Sequence, residues 1–151
     1  MALKEQLRAD LTTAMKSRDE LTSATLRMVL TAVTTEEVAG KQARELSDDD
    51  IVKVLTREAK KRREANDAYT QAGRAELAAR EQAELGVIER YLPKQLSDDE
   101  VAELVRAAVA ETGADDPKAM GQVMKVLTPR IAGRADGGKV AAEVRRQLSA
   151  G

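Results

Sequence analysis

The stretch Leu92-Pro93-Lys94-Gln95-Leu96-Ser97-Asp98-Asp99-Glu100-Val101 decides how the chain is read. Pro93 lacks an amide hydrogen and biases Leu92 away from helical backbone, so a helix arriving from the N-terminal side ends here. Ser97 then offers its hydroxyl to the amide of Glu100, while Asp98, Asp99 and Glu100 occupy the first turn, where the helix dipole favours acids. Leu96 can staple onto Val101 across that turn. One helix closes and another opens within ten residues, which makes this the best domain boundary in the chain. The same arrangement stands fifty residues earlier at Leu46-Ser47-Asp48-Asp49-Asp50-Ile51. The likeness fades after the first turn, so it reads as repeated capping chemistry and not as a duplicated domain.

Outward from these two caps, Gly and Pro fall at intervals that suit helix lengths, and no strand-like alternation persists between them. An all-α fold of about seven helices follows. Leu3, Leu7, Leu11 and Met15 form an i, i+4 stripe; Leu26, Leu30, Val33 and Val38 form roughly another, with Gly40 as its expected C-cap and a hairpin around Ser17 to Glu20. A long helix runs from Ile51 to about Ala72 and stops at Gly73. The next, from about Arg74, carries Leu77, Leu85 and Ile88 to Tyr91. Beyond the boundary, helices are expected from Asp98 to Thr112 ended by Gly113, from about Pro117 to Leu127, and from about Gly138 to Leu148. The organisation predicted is an N-terminal bundle of about four helices over 1–92 and a three-helix domain over 93–151.

Composition removes most familiar chemistry. The 151 residues contain no Cys and no His, which excludes disulfides, Cys/His zinc sites and histidine-dependent nucleophile systems. No catalytic constellation, metal or cofactor is expected. Leu, Ile and Val together supply only 31 residues, and Ala supplies 26, so the helices must pack thinly. No apolar run approaches the roughly 20 residues of a membrane span. Glu5, Asp10, Asp19 and Glu20 in the first helices are acids that transit peptides avoid, so a cytoplasmic chain without membrane partners is expected.

The net charge is -1, from 25 Lys+Arg against 26 Asp+Glu, but its distribution is uneven. Lys53 to Arg63 holds six bases against Glu58; Lys118 to Arg146 holds seven against Asp136 and Glu143. Each segment is therefore +5, and the remainder is -11. Such segregation resembles the footprint of a polyanion binder that stays acidic elsewhere, although the basic run on the long helix, taken alone, reads first as a solvated helix surface. With no Phe or Trp to stack on bases, the nucleic acid would be structured RNA or a duplex read through its backbone.

Three further features have competing readings. Gly133-Arg134-Ala135-Asp136-Gly137-Gly138-Lys139 fits the opening of a phosphate loop, but Val140 stands where the magnesium-binding hydroxyl belongs. Either the glycines receive one backbone phosphate beside Arg134 and Lys139, or Asp136 caps the last helix. The acid clusters Asp48 to Asp50 and Asp98 to Glu100 lack calcium-loop spacing and read as caps. Gly121 inside Met120-Gly121-Gln122-Val123-Met124 predicts the close approach of another helix or of a ligand backbone, with helix-helix contact as the first reading. Met120, Val123 and Met124 are either core or an apolar surface for a partner protein.

The combination of Ala72-Gly73-Arg74, Leu77, Glu81, Glu84, Tyr91-Leu92-Pro93-Lys94-Gln95-Leu96, Gly113-Ala114, Met120 to Met124, Pro129 and Gly133-Arg134-Ala135-Asp136-Gly137 with Val140 resembles the YqeY (GatB/YqeY) family over nearly the whole chain. Gly138 departs from the pattern by lengthening the glycine turn before Lys139. The resemblance implies an N-terminal bundle plus a three-helix domain similar to the tail of GatB, a subunit of the tRNA-dependent amidotransferase. In those relatives the tail helps engage tRNA. The resemblance therefore implies a non-catalytic tRNA-binding accessory module. Its expected backbone contacts are Lys60, Arg62, Arg63, Arg74, Lys118, Lys125, Arg130, Arg134, Lys139, Arg145 and Arg146. One alternative is a protein-interaction module that docks onto an aminoacyl-tRNA synthetase or amidotransferase. Another is the family label of carbon-nitrogen ligase with glutamine as amido-N-donor, although the sequence holds no glutaminase nucleophile or ATP site.

Overall fold

In the computed structural model of the protein, which describes residues 2–150, the regular elements are seven α-helices and one 3-10 turn, with no strand among the described residues. The all-α expectation holds. The chain divides into two compact units, Met1–Leu92 and Pro93–Gly151.

The first unit contains α1 (Leu3–Lys16), α2 (Glu20–Glu37), α3 (Asp48–Gln71) and α4 (Ala75–Glu89). Between α1 and α2 the Asp19 amide donates to the Ala14 carbonyl at 2.9 Å and the Arg18 amide to Met15 at 3.2 Å. This closure needs left-handed backbone at Arg18, whose φ is 60°. The Asp19 carboxylate then caps α2 through the Thr22 amide at 3.1 Å. Lys4 reaches Glu37 at 2.8 Å, joining the start of α1 to the end of α2, so the pair is antiparallel. At the opposite hairpin, Gly73 takes φ +72° while the Arg74 amide donates to Tyr69 at 2.8 Å.

Both expected stripes are corrected at their C-terminal ends. Leu7 is fully buried, with Leu3 and Leu11 packed against the core, but Met15 is 50 % exposed and Ala14 takes the inward position. A four-residue step overshoots a helical turn by about 40°, so a long i, i+4 series rotates off the core. In α2 the buried series is Leu26, Val29 and Val33, and Val38 is exposed. Gly40 is not the C-cap, because α2 already ends at Glu37 with Val38 as its cap. The exit is fixed instead by Glu37: its carbonyl accepts the Arg44 amide at 2.9 Å and its carboxylate the Leu46 amide at 3.2 Å. Leu46 and Ile51, on either side of the Ser47 cap, both enter the core.

The second unit contains α5 (Asp98–Thr112), a 3-10 turn at Pro117–Ala119, α6 (Met120–Ile131) and α7 (Gly137–Ala150) around Val101, Val105, Val123, Leu127, Val140, Val144 and Leu148. Ser97 and Glu100 make a reciprocal capping box on α5. Helix α6 continues a turn beyond the expected Leu127. Pro129 lies in that final turn, where the amide it lacks would have bonded back to the Lys125 carbonyl, so the helix gives up one intrahelical bond close to its end.

Arg18 occupies a position where glycine avoids the clash of Cβ with the backbone. Arg18→Gly is expected to stabilise the protein by about 0.5–1 kcal/mol in urea unfolding. An unchanged or lower midpoint would show that the left-handed turn carries no such strain.

Candidate nucleic-acid interface

The eleven basic residues expected to meet RNA fall into distinct environments. On α3, Lys60 is exposed and free of ion pairs among the described residues, and Arg74 is exposed in the turn that follows α3. Arg63 is half-buried, with its Nε enclosed and without a hydrogen-bond partner. Arg62 is a correction. Only 7 % of it is exposed, and its Nη1 donates to the Glu58 carboxylate at 2.9 Å and to the Glu58 carbonyl at 3.2 Å. Glu84 of α4 stands 3.7 Å from its Nε, and the Met28 sulfur of α2 accepts from Nη2 at 3.5 Å. Arg62 is thus an internal charge and is not presented to a phosphate.

In the second unit, Lys118, Lys125, Lys139 and Arg145 are exposed and make no ion pair among the described residues. Arg130 and Arg146 are exposed but engaged. Arg130 forms a bidentate pair with Glu111 at 2.6 and 3.0 Å, and Arg146 holds Glu143 at 2.8 Å. Hydrogen bonds from Arg146 and Gln147 lower the Glu143 carboxyl to about 2. Arg134 is half-buried and donates to the Arg130 carbonyl at 3.3 Å. The exposed side of α6 carries Gly121, Gln122 and Lys125, with Lys118 just before the helix. Gly121 corrects another expectation: among the described residues nothing lies within 4 Å of where its Cβ would stand, so no helix of the second unit packs there.

The glycine-rich loop is occupied by the protein itself. Asp136 accepts the Gly138 amide at 3.0 Å at the start of α7, and Val140 is fully buried in the core. The helix terminus therefore faces its own carboxylate, which disfavours an anion there. Leu96 donates its amide to the Arg134 carbonyl at 2.7 Å, and the Gln95 side chain donates to Gly133 at 2.8 Å. These bonds latch the segment after Pro93 to the loop before α7. In the first unit, Tyr91 donates its hydroxyl to Asp10 at 2.6 Å, and burial with that carboxylate pushes the phenol above its ordinary range.

The apolar candidates for a partner surface lie inward. Val123 is fully buried, and Met120 and Met124 pack against the same core. Sequence reasoning missed the network around Arg62, for which the i, i+4 spacing of Glu58 and Arg62 was the available signal. It also missed the Tyr91 to Asp10 bond, which joins residues 81 apart and has no local signature.

A family model described as Yqey-like protein matches residues 4–148, and the chain belongs to that family. An uncharacterised protein of Schizosaccharomyces pombe is 30% identical over 97 residues, covering 64% of this chain and 76% of the relative. A Meyerozyma guilliermondii protein named "Altered inheritance of mitochondria protein 41, mitochondrial" is 35% identical over 86 residues, covering 57% of this chain and 44% of the relative. The match thus spans less than half of that second protein. Among the described residues, no helix is long and apolar enough to cross a membrane.

Lys60 and Arg62, two residues apart, separate the two kinds of cation. Arg62→Ala leaves Glu58 and Glu84 without their shared partner and is expected to destabilise the protein by about 3 kcal/mol in chemical unfolding. Lys60→Ala should stay within about 0.5 kcal/mol of the parent. Equal effects would remove the distinction between internal and surface charge.

Proposed function

We propose that this Yqey-like chain is a non-catalytic module that binds structured RNA, with tRNA as its partner, through the phosphate backbone. The observation that carries the reading is that four exposed cations of the second unit, Lys118, Lys125, Lys139 and Arg145, form no ion pair among the described residues. Each can neutralise a phosphate and release a counterion without first giving up an internal partner. The open side of α6 supports it as well, since Gly121 lets a backbone come close between Lys118 and Lys125. Lys60, Arg63 and Arg74 provide further positive charge on the first unit. The resemblance of residues 93–151 to the tail of GatB favours tRNA among structured RNAs.

Arg130 and Arg146 contribute less in this reading, because Glu111 and Glu143 already hold them. Docking onto a synthetase or amidotransferase would have to use a surface other than Met120, Val123 and Met124. The cytoplasm is the compartment that goes with the reading. The word mitochondrial in the name of the Meyerozyma relative supplies the rival, which fluorescence microscopy of a tagged chain would decide.

The test is fluorescence anisotropy of labelled tRNA over a salt series. Affinity should fall linearly on a log-log plot, by a slope of about -0.9 for each phosphate neutralised on a duplex. Lys118→Glu/Lys125→Glu should weaken binding and make the slope shallower by about 2. Absence of binding at low salt, or a double variant that binds as the parent does, would overturn the proposal.

A further inference from the structure

Met28 on α2 has 41 % of its surface exposed, yet its sulfur accepts a hydrogen bond from the buried Arg62 guanidinium. Arg62 has five N–H donors. Nη1 is satisfied by Glu58, but Nε has no hydrogen-bond partner, and the Glu84 carboxylate at 3.7 Å lies outside that reach. On its Met28 side the cation therefore depends on a thioether, a weak acceptor. Met28 also lines two open clefts, of about 610 and 460 Å³, through which small solutes can approach its side chain.

We propose that Met28 is a reversible oxidation site whose sulfoxide is held by Arg62. With a hydroperoxide as oxidant, a sulfur lone pair attacks one peroxide oxygen. The S–O bond forms as the O–O bond breaks; sulfur gives up two electrons, and hydrogen peroxide, having transferred one oxygen, leaves as water. The sulfoxide oxygen is a strong acceptor, and the three rotatable bonds of Met28 let it turn toward Nη2 and the unsatisfied Nε. Methionine oxidation ordinarily damages packing by placing a polar group among apolar ones. Here the new oxygen meets an under-satisfied cation shared with α3 and α4, so the oxidised protein is the more stable form. Methionine sulfoxide reductases restore the thioether. Met15 is the internal comparison, being 50 % exposed with no hydrogen bond to its sulfur among the described residues.

The experiment treats the full chain with graded hydrogen peroxide, maps oxidised methionines by peptide mass spectrometry, and records thermal midpoints for the parent, Met28→Leu and Met15→Leu. Met28 and Met15 should oxidise before Met120 and Met124. The midpoint should rise by about 2–5 °C on oxidation of the parent and of Met15→Leu, and should not rise in Met28→Leu. The proposal is overturned if Met28 stays reduced while Met15 converts. It is equally overturned if oxidation at position 28 leaves the midpoint unchanged or lower, or if Met28→Leu shows the same rise.

Discussion

The first unit depends on a positive charge inside it. Taking a guanidinium out of water costs several kcal/mol, and that cost is offset only when carboxylates and hydrogen-bond acceptors surround it. Arg62 draws these from three helices: Glu58 from its own α3, Glu84 from α4 and Met28 from α2. Burial and the neighbouring Glu81 raise the Glu84 carboxyl, while Arg62 and Arg80 pull it down. Rotating α4 by one residue, about 100°, would remove Glu84 from Arg62 and expose Leu85 or Val87. The charge therefore fixes the rotation and register of helices whose apolar faces, made of Leu, Val, Ile and Ala, discriminate poorly among alternatives.

The second unit solves the same problem with polar bonds at its periphery. Its interior is almost entirely Val, Leu and Ala. What locates the helix ends is a set of local hydrogen bonds: the Ser97 and Glu100 box, the Asp136 cap, and the Gln95 and Leu96 bonds to the loop before α7. The Pro93-Lys94-Gln95-Leu96 and Gly133-Arg134-Ala135-Asp136-Gly137 motifs meet through those bonds. Their specificity as a sequence signature thus has a structural cause, and their likeness to a phosphate loop comes from needing a tight turn into a helix. Glycine supplies that turn at Gly133, where φ is +72°.

What was legible in the sequence was local. Ser47 and Ser97 caps, Gly73 and Gly113 stops, and helix identity all follow from interactions within one turn. The stripes were legible only near their centres, because a fixed spacing drifts around the helix and misassigned Met15 and Val38. Glycine was ambiguous for a different reason. It is required at Gly73 by backbone angle, plays no cap role at Gly40, and stands in open space at Gly121. Charge was the least legible property of all. Lys60 and Arg62 look alike in a list of bases, and only the arrival of Glu84 and Met28 from distant segments makes one of them internal.

That distinction changes how a chain of net charge -1 can address a polyanion. A cation already paired with a carboxylate must exchange one partner for another, and the displaced Glu then repels the incoming phosphate. Arg130 with Glu111 and Arg146 with Glu143 are in this position. Lys118, Lys125, Lys139 and Arg145, unpaired among the described residues, have no such exchange to make, so in the proposed reading each phosphate contact would convert fully into released counterions. The steepness of salt dependence therefore counts unpaired cations and not bases. Acidic residues elsewhere keep the net charge near zero without entering that count, so a net charge of -1 is compatible with the proposed electrostatic contact.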